Sequence, residues 1–345
     1  MKRMSVLLGR SALAGIVLAA AFCAGVALVL FGTLWWIQRP DKAVDGQAFV
    51  ETFVAGVDDA KAAKVVRVEI TGEIGPPAPS PVGDLLGGAL GTGGSGGVDA
   101  FAAVRDRIRL AADEQDVKGL CLVIDSPGGD LTDSDILWHE VQRFREARHD
   151  RFVFVQVLAQ CCSGGYYVAS AADFIMVLPT SEVGSIGIIS DYGYNVADLA
   201  SRFGVSNVVV STGVNKDTLN PLKPVDPRQL AIEQGLVDSQ FARFVKVVSE
   251  GRNMPVERVR VLADGRAYAA PDAVEKGLAD AIGYDEDALA KLRELAGGDV
   301  CVVAYDAPPA REEGLLEMLF GRKSNALSAR RRHRGLPVPR LRLVR

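Results

Sequence analysis

Histidine is nearly absent from this chain, with three among 345 residues, at His139, His149 and His333. A nucleophile activated by imidazole therefore has few candidate partners, and nothing in the neighbouring sequence singles one out. Surface placement is the expectation for these residues. Cysteine is sparse too: Cys23, Cys121, Cys161, Cys162 and Cys301 are odd in number and lack metal-type spacing. That excludes a disulfide framework and a cysteine-based metal site. Adjacent Cys161 and Cys162 are poorly placed to bridge each other, because a disulfide demands a specific Cα separation and torsion. No metal and no cofactor are expected. Basic charge is outnumbered over most of the chain. The net charge is −4, but Arg322–Arg345 holds nine Lys and Arg and no acid, so the remainder carries 30 basic against 43 acidic residues. An acidic body argues against nucleic acid as a partner. The basic tail at 322–345 reads as disordered and solubilising, although such a tail can also meet anionic lipid.

What the chain does contain begins with 27 uncharged residues from Ser11 to Ile37, rich in Ala, Leu and Val. As a helix they would extend about 40 Å, more than the ~30 Å hydrocarbon core requires. Lys2, Arg3 and Arg10 precede the run, and Trp35 and Trp36 mark its far end. A cleaved signal peptide would have an apolar region of about 7–15 residues and a small-x-small site. Here Leu34-Trp35-Trp36-Ile37 stands where that site would fall, and bulky Phe22 disfavours a lipid anchor at Cys23. The expectation is an uncleaved single-pass helix at 11–37. Positive charge before it favours residues 1–10 in the cytoplasm. The body then lies outside the bacterial inner (plasma) membrane, in the periplasm of a two-membrane bacterium, with membrane lipid as a partner.

Residues 38–63 read as a linker. A domain is expected over 64–298, interrupted at 75–97 by a flexible loop dense in Gly and Pro. Lys64–Ile70 alternates into a strand, and Val98–Ala112 has helical apolar spacing. Gly119–Ile124 and Phe152–Leu158 are continuous apolar runs, as buried parallel strands require. Ile136–Phe144 predicts a helix, another is expected from Ser163, and Phe174–Leu178 and Asn207–Ser211 read as further strands. Beyond Pro227 the pattern is mainly helical to about Leu295. This alternation predicts an α/β fold with parallel strands covered by helices and a helical C-terminal extension. Residues 299–321 form a C-terminal segment in which Leu315–Phe320 is apolar, suited to packing or to self-binding.

Two glycine turns follow buried strands: Ser126-Pro127-Gly128-Gly129 and Cys162-Ser163-Gly164-Gly165-Tyr166-Tyr167. In open α/β sheets, sites form at the carboxyl ends of strands, where loops meet helix N-termini. A serine at such a turn is placed for nucleophilic attack. Gly164 at the helix start, with Gly129 as a second donor, could stabilise an oxyanion. Tight turns of this kind are common without any function, and either alone carries little weight. With histidine scarce, lysine is the alternative base, provided that its amine is neutral. Lys216, in Thr212-Gly213-Val214-Asn215-Lys216-Asp217, would by itself pass for a solvated loop residue.

Taken jointly, Ser-Pro-Gly-Gly at 126–129, Ser-Gly-Gly-Tyr-Tyr at 163–167, Gly-Ser-Ile-Gly at 184–187 and Lys216-Asp217 stand in the order and spacing of the signal peptide peptidase A family. Gly251-Arg252, Ala263-Asp264-Gly265-Arg266 and Ala273–Asp280 also resemble that family, over roughly Val65–Gly283. The resemblance implies a Clp-protease/crotonase-like fold. It makes Ser163 the nucleophile, Lys216 the general base and Ser185 the residue that orients the lysine, with Gly129 and Gly164 as oxyanion donors. It further implies a serine endopeptidase acting on remnant signal peptides and other membrane-derived peptides. A closed homo-oligomer, in which serine and lysine come from neighbouring subunits, is implied as well.

The sequence departs from the family at Cys161 and Cys162, where small Ala-like residues are usual. Buried cysteine packs as a small apolar residue, and a thiol nucleophile at Cys162 is the sharper alternative. Two rival functions remain at this level. A crotonase-like acyl-CoA enzyme would use the glycine turns but leave Ser163 and Lys216 idle. A catalytically silent membrane scaffold would need neither.

Overall fold

The computed structural model describes residues 42–44, 47–75 and 100–306. The expected membrane helix at 11–37, all but the first residue of the Gly/Pro loop at 75–97, the Leu315–Phe320 stretch and the tail at 322–345 lie outside the described residues. Among the described residues no helix is long and apolar enough to cross a membrane.

Among the described residues ten strands form one sheet: β1 (Lys42–Val44), β2 (Gln47–Gly56), β3 (Ala63–Thr71), β4 (Val117–Ser126), β5 (Phe152–Cys162), β6 (Phe174–Val177), β7 (Glu182–Gly184), β8 (Ala267–Ala269), β9 (Ala281–Ile282) and β10 (Val300–Asp306). Their order is β1-β2-β10-β3-β4-β5-β6-β9, with β7 joining the end of β5 and β8 joining β7. From β10 to β9 neighbouring strands are parallel, and β1 and β2 form an antiparallel edge. The helices are α1 (Ala100–Asp113), α2 (Leu131–Glu146), α3 (Gly164–Ala169), α4 (Ala197–Arg202), α5 (Pro227–Gly251), α6 (Val256–Leu262), α7 (Ala270–Lys276) and α8 (Asp285–Ala296). The molecule is a mixed α/β structure.

Apolar runs in β4 and β5 are continuous because both faces of the sheet are covered. Leu120, Leu122 and Ile124 pack with Ile108 of α1, Leu137 and Phe144 of α2 and Phe244 of α5. Cys121, Val123 and Phe154 point the other way and pack under Ala288, Leu292 and Ala296 of α8. Pairing of β4 with β5 slips between Ile124 and Ser126, so β5 bulges before its last residues turn to pair with β7. That slip divides the sheet's carboxyl edge, where the glycine turns sit.

Three expectations need correction. Within 38–63, β1 and β2 are strands of the main sheet rather than linker. Residues 300–306 form β10, which lies between β2 and β3. No strand forms at Asn207–Ser211: the backbone there is irregular, with Val208 86% and Val210 97% exposed. A β-branched run needs a partner strand, and none of the described strands pairs with it.

Candidate active site

Strand β5 delivers Ser163 in a conformation that few non-glycine residues adopt, with φ 49° and ψ −118°. Such a backbone persists only where its surroundings hold it. Here the Ser163 amide donates to the Gly184 carbonyl at 2.8 Å, while the Ser163 carbonyl accepts from the Tyr167 amide at 2.9 Å. The first bond ties the residue to β7 and the second starts α3. Helix α3 is buried throughout, and the Tyr166 hydroxyl donates to the Leu278 carbonyl at 2.9 Å, fixing the helix from below. The Ser163 hydroxyl caps no helix, and no side chain among the described residues hydrogen-bonds it.

The Ser126–Gly129 turn closes over this serine. A Cβ on Gly128 would stand 2.6 Å from Ser163 Cβ and 3.1 Å from Ser163 Oγ. Gly128 adopts φ 116° and Gly129 φ 147°, both in the region that favours glycine. Gly129 is clamped by Ile74, whose amide donates to the Gly128 carbonyl and whose carbonyl accepts from the Asp130 amide, each at 2.7 Å. Ser126 Oγ donates to the Gly72 carbonyl at 2.6 Å and accepts from the Gly128 amide at 3.1 Å. Across the gap, a Cβ on Gly164 would sit 3.3 Å from the Gly129 nitrogen and 2.3 Å from Ser134 Oγ. The two glycine amides therefore lie side by side, and neither has a hydrogen-bond partner among the described residues. Two bare N–H groups beside a strained serine can receive the charge of a tetrahedral oxyanion.

Ser185 follows β7, as Ser163 follows β5, and the strands pair at Cys162↔Gly184. Adjacent parallel strands set the two serines side by side at the same edge. Ser185 has φ 49°, and its amide donates to the Arg266 carbonyl at 2.8 Å. Within this single chain Lys216 makes no hydrogen bond to Ser163. It lies exposed in the irregular 205–225 segment, and its side chain makes no hydrogen bond or ion pair with a described residue. The neighbouring Asp217 turns instead to Lys223 and Asn220, and the hydrogen bond from Lys223 lowers its carboxyl below the usual range. Among the described residues histidine supplies no substitute, since His139 and His149 are both exposed on and after α2.

Cys161 is fully buried in the main core, and Cys162 is 7% exposed. Burial raises both thiols above their usual value, and Glu182 raises Cys162 further. A nucleophilic cysteine needs the opposite shift. Cys162→Ala is therefore expected to keep acyl-transfer turnover within about twofold of native, and a drop beyond about tenfold would return the nucleophile to the thiol. Sequence reasoning missed Ile74, Ser134 and the locking role of Ser126. Only the last had a local signal, its place at the head of the glycine turn; Ile74 borders the Gly/Pro loop and reaches Gly129 through folding alone.

A family model described as Peptidase family S49 matches residues 146–299, which contain Ser163, Ser185 and Lys216. A putative signal peptide peptidase SppA of Enterococcus faecium is 34% identical over 58% of this chain and 57% of its own length. A putative protease of Synechocystis is 36% identical over 56% of this chain and 69% of its own. Protease 4 of Haemophilus influenzae is 33% identical over 62% of this chain but only 33% of its own length. The chain thus spans between a third and about two thirds of these relatives.

Proposed function

The chain belongs to peptidase family S49, and we propose that it is a membrane-anchored serine endopeptidase with a Ser163–Lys216 dyad, cutting remnant signal peptides and similar membrane-derived peptides. The observation that carries this reading is the strained Ser163 facing the unpartnered amides of Gly129 and Gly164. In the proposed reaction the neutral amine of Lys216 takes the Ser163 proton as Oγ attacks the peptide carbonyl. Gly129 and Gly164 hold the oxyanion, and the lysine then protonates the departing amine. Water, deprotonated by the same lysine, cleaves the ester and frees Ser163. Ser185, at the neighbouring strand end, orients the amine.

Lys216 would come from a neighbouring subunit. Supporting this is the exposure of apolar side chains in its own segment and in the stretch before α4: Val210 and Val214, and Ile189 and Tyr194, are each at least 87% exposed. Large apolar side chains left so exposed suit a face that another subunit covers. A head-to-tail contact repeated around an axis closes a ring, giving the homo-oligomer. Parallel strands with glycine turns at their carboxyl ends fit a Clp-protease/crotonase-like arrangement. The uncharged 11–37 run would tether the body outside the inner membrane, beside its substrates. A serine-directed phosphonate is expected to label native protein and to fail with Ser163→Ala; labelling of both would refute the assignment. Because only neutral lysine accepts the proton, kcat/KM should climb at least about tenfold between about pH 6 and pH 9. A flat profile would speak against a lysine base.

A further inference from the structure

On the sheet face opposite α2 and α3, a cavity of about 470 Å³ opens between β2, β10, β3, β4, β5 and α8. Its walls are largely apolar, with Val123, Leu158 and Leu292 prominent. Three polar groups interrupt them: Gln156, Arg67 and Asp285. Gln156 is 3% exposed, and both its carboxamide oxygen and its carboxamide nitrogen lack a hydrogen-bond partner. Its cross-strand neighbours, Val123 and Met176, offer none. A buried polar group left so is unusual in a folded protein and calls for a partner. Arg67 binds Glu69 at 2.8 Å through one nitrogen, which leaves further guanidinium donors. Asp285, in the first turn of α8, is exposed at the cavity and has no ion pair among the described residues. Both charges act on the same wall residue, Cys121, whose thiol burial pushes up to about 12.

We propose that this cavity binds short apolar peptides with free termini, of about two or three residues, at a site separate from Ser163. The chemistry of the lining fits each part of such a ligand. Turned about its side-chain bonds toward the cavity, the Gln156 carboxamide would offer one acceptor and one donor edge, which match the N–H and C=O of a peptide group. Arg67 suits the terminal carboxylate and Asp285 the terminal ammonium. The apolar walls take the side chains. A ligand with one charge or none would leave one of these three groups unanswered. The inference stands without the peptidase reading, although an enzyme releasing such fragments would meet them at high local concentration.

The test is calorimetric titration of leucyl-alanyl-leucine into the full detergent-solubilised chain carrying Ser163→Ala. One peptide per chain is expected to bind. Leu292→Trp, which fills the cavity, should abolish binding, and Gln156→Leu should weaken it at least about tenfold. The N-acetylated, C-amidated peptide should bind at least about tenfold more weakly than the free one. Native protein blocked with a serine-directed phosphonate should bind the free peptide as before. Loss of binding on phosphonate blocking, with no effect of Leu292→Trp, would place the peptide at Ser163 and overturn the proposal. So would a Gln156→Leu protein that melts higher than its parent yet binds the peptide unchanged, since the carboxamide would then serve no ligand. Absence of binding to every form would overturn it too.

Discussion

Ser163→Ala lowers kcat/KM by on the order of 10⁵, with the fold and assembly unchanged. The large loss is expected from geometry: Ser163 sits against the Ser126–Gly129 turn, beside the unpartnered amides of Gly129 and Gly164 that would hold the oxyanion. Cys162, one residue earlier, has its thiol raised by burial and turned toward the Glu182 carbonyl at 3.9 Å, so it cannot take over. The unchanged fold follows from what Ser163 Oγ lacks, since it caps no helix and the residue is held through its backbone bonds to Gly184 and Tyr167. Alanine carries the same backbone strain as serine, so the melting temperature should stay within about 2 °C. Turnover of a fluorogenic peptide beside a melting curve checks both parts. Activity within tenfold of native would move the nucleophile elsewhere.

Gly129→Ala produces the second large effect, and it reaches both activity and stability. An added Cβ would stand 2.0 Å from the Ile74 carbonyl oxygen and 2.6 Å from its nitrogen, at a residue with φ 147°. Neither partner is the flexible end of a side chain, so the turn must move. Moving it breaks the paired Ile74 hydrogen bonds and carries the Gly129 amide away from Gly164. Loss of one oxyanion donor costs on the order of 10² to 10³ in kcat. Backbone strain with a displaced turn costs on the order of 3 kcal/mol of stability. Chemical denaturation and steady-state kinetics read the two separately. Retention of native kcat would remove Gly129 from the reaction.

Much of the sheet's centre was legible, because strands buried on both faces must be apolar on both. Gly119–Ile124 and Phe152–Leu158 fall within β4 and β5, and Val98–Ala112 nearly coincides with α1. The edge was not. β2, with Glu51 and Thr52 among its apolar residues, has no continuous run; β10 has one, Val300–Tyr305, but its place beside β3 is set only by pairing from the far end of the chain. Which strand such a run pairs with leaves no local trace. Asn207–Ser211 shows the reverse error, since Val208, Val209 and Val210 have strand chemistry without a strand partner. Apolarity there fits a surface that another subunit would cover. The same division holds at the site. The glycine turns announced themselves, whereas the role proposed for Lys216 comes only from the family resemblance, and the single chain leaves it exposed.

The most direct test of the dyad shared between subunits is to measure peptide hydrolysis by Ser163→Ala, by Lys216→Ala, and by an equimolar mixture of the two after subunit exchange. Each variant alone should be inactive. The mixture should regain about a quarter of native activity, since random assembly pairs an intact serine with an intact neighbouring lysine at about one site in four. An exchanged mixture that stays silent, or substantial turnover by either variant alone, would contradict the account.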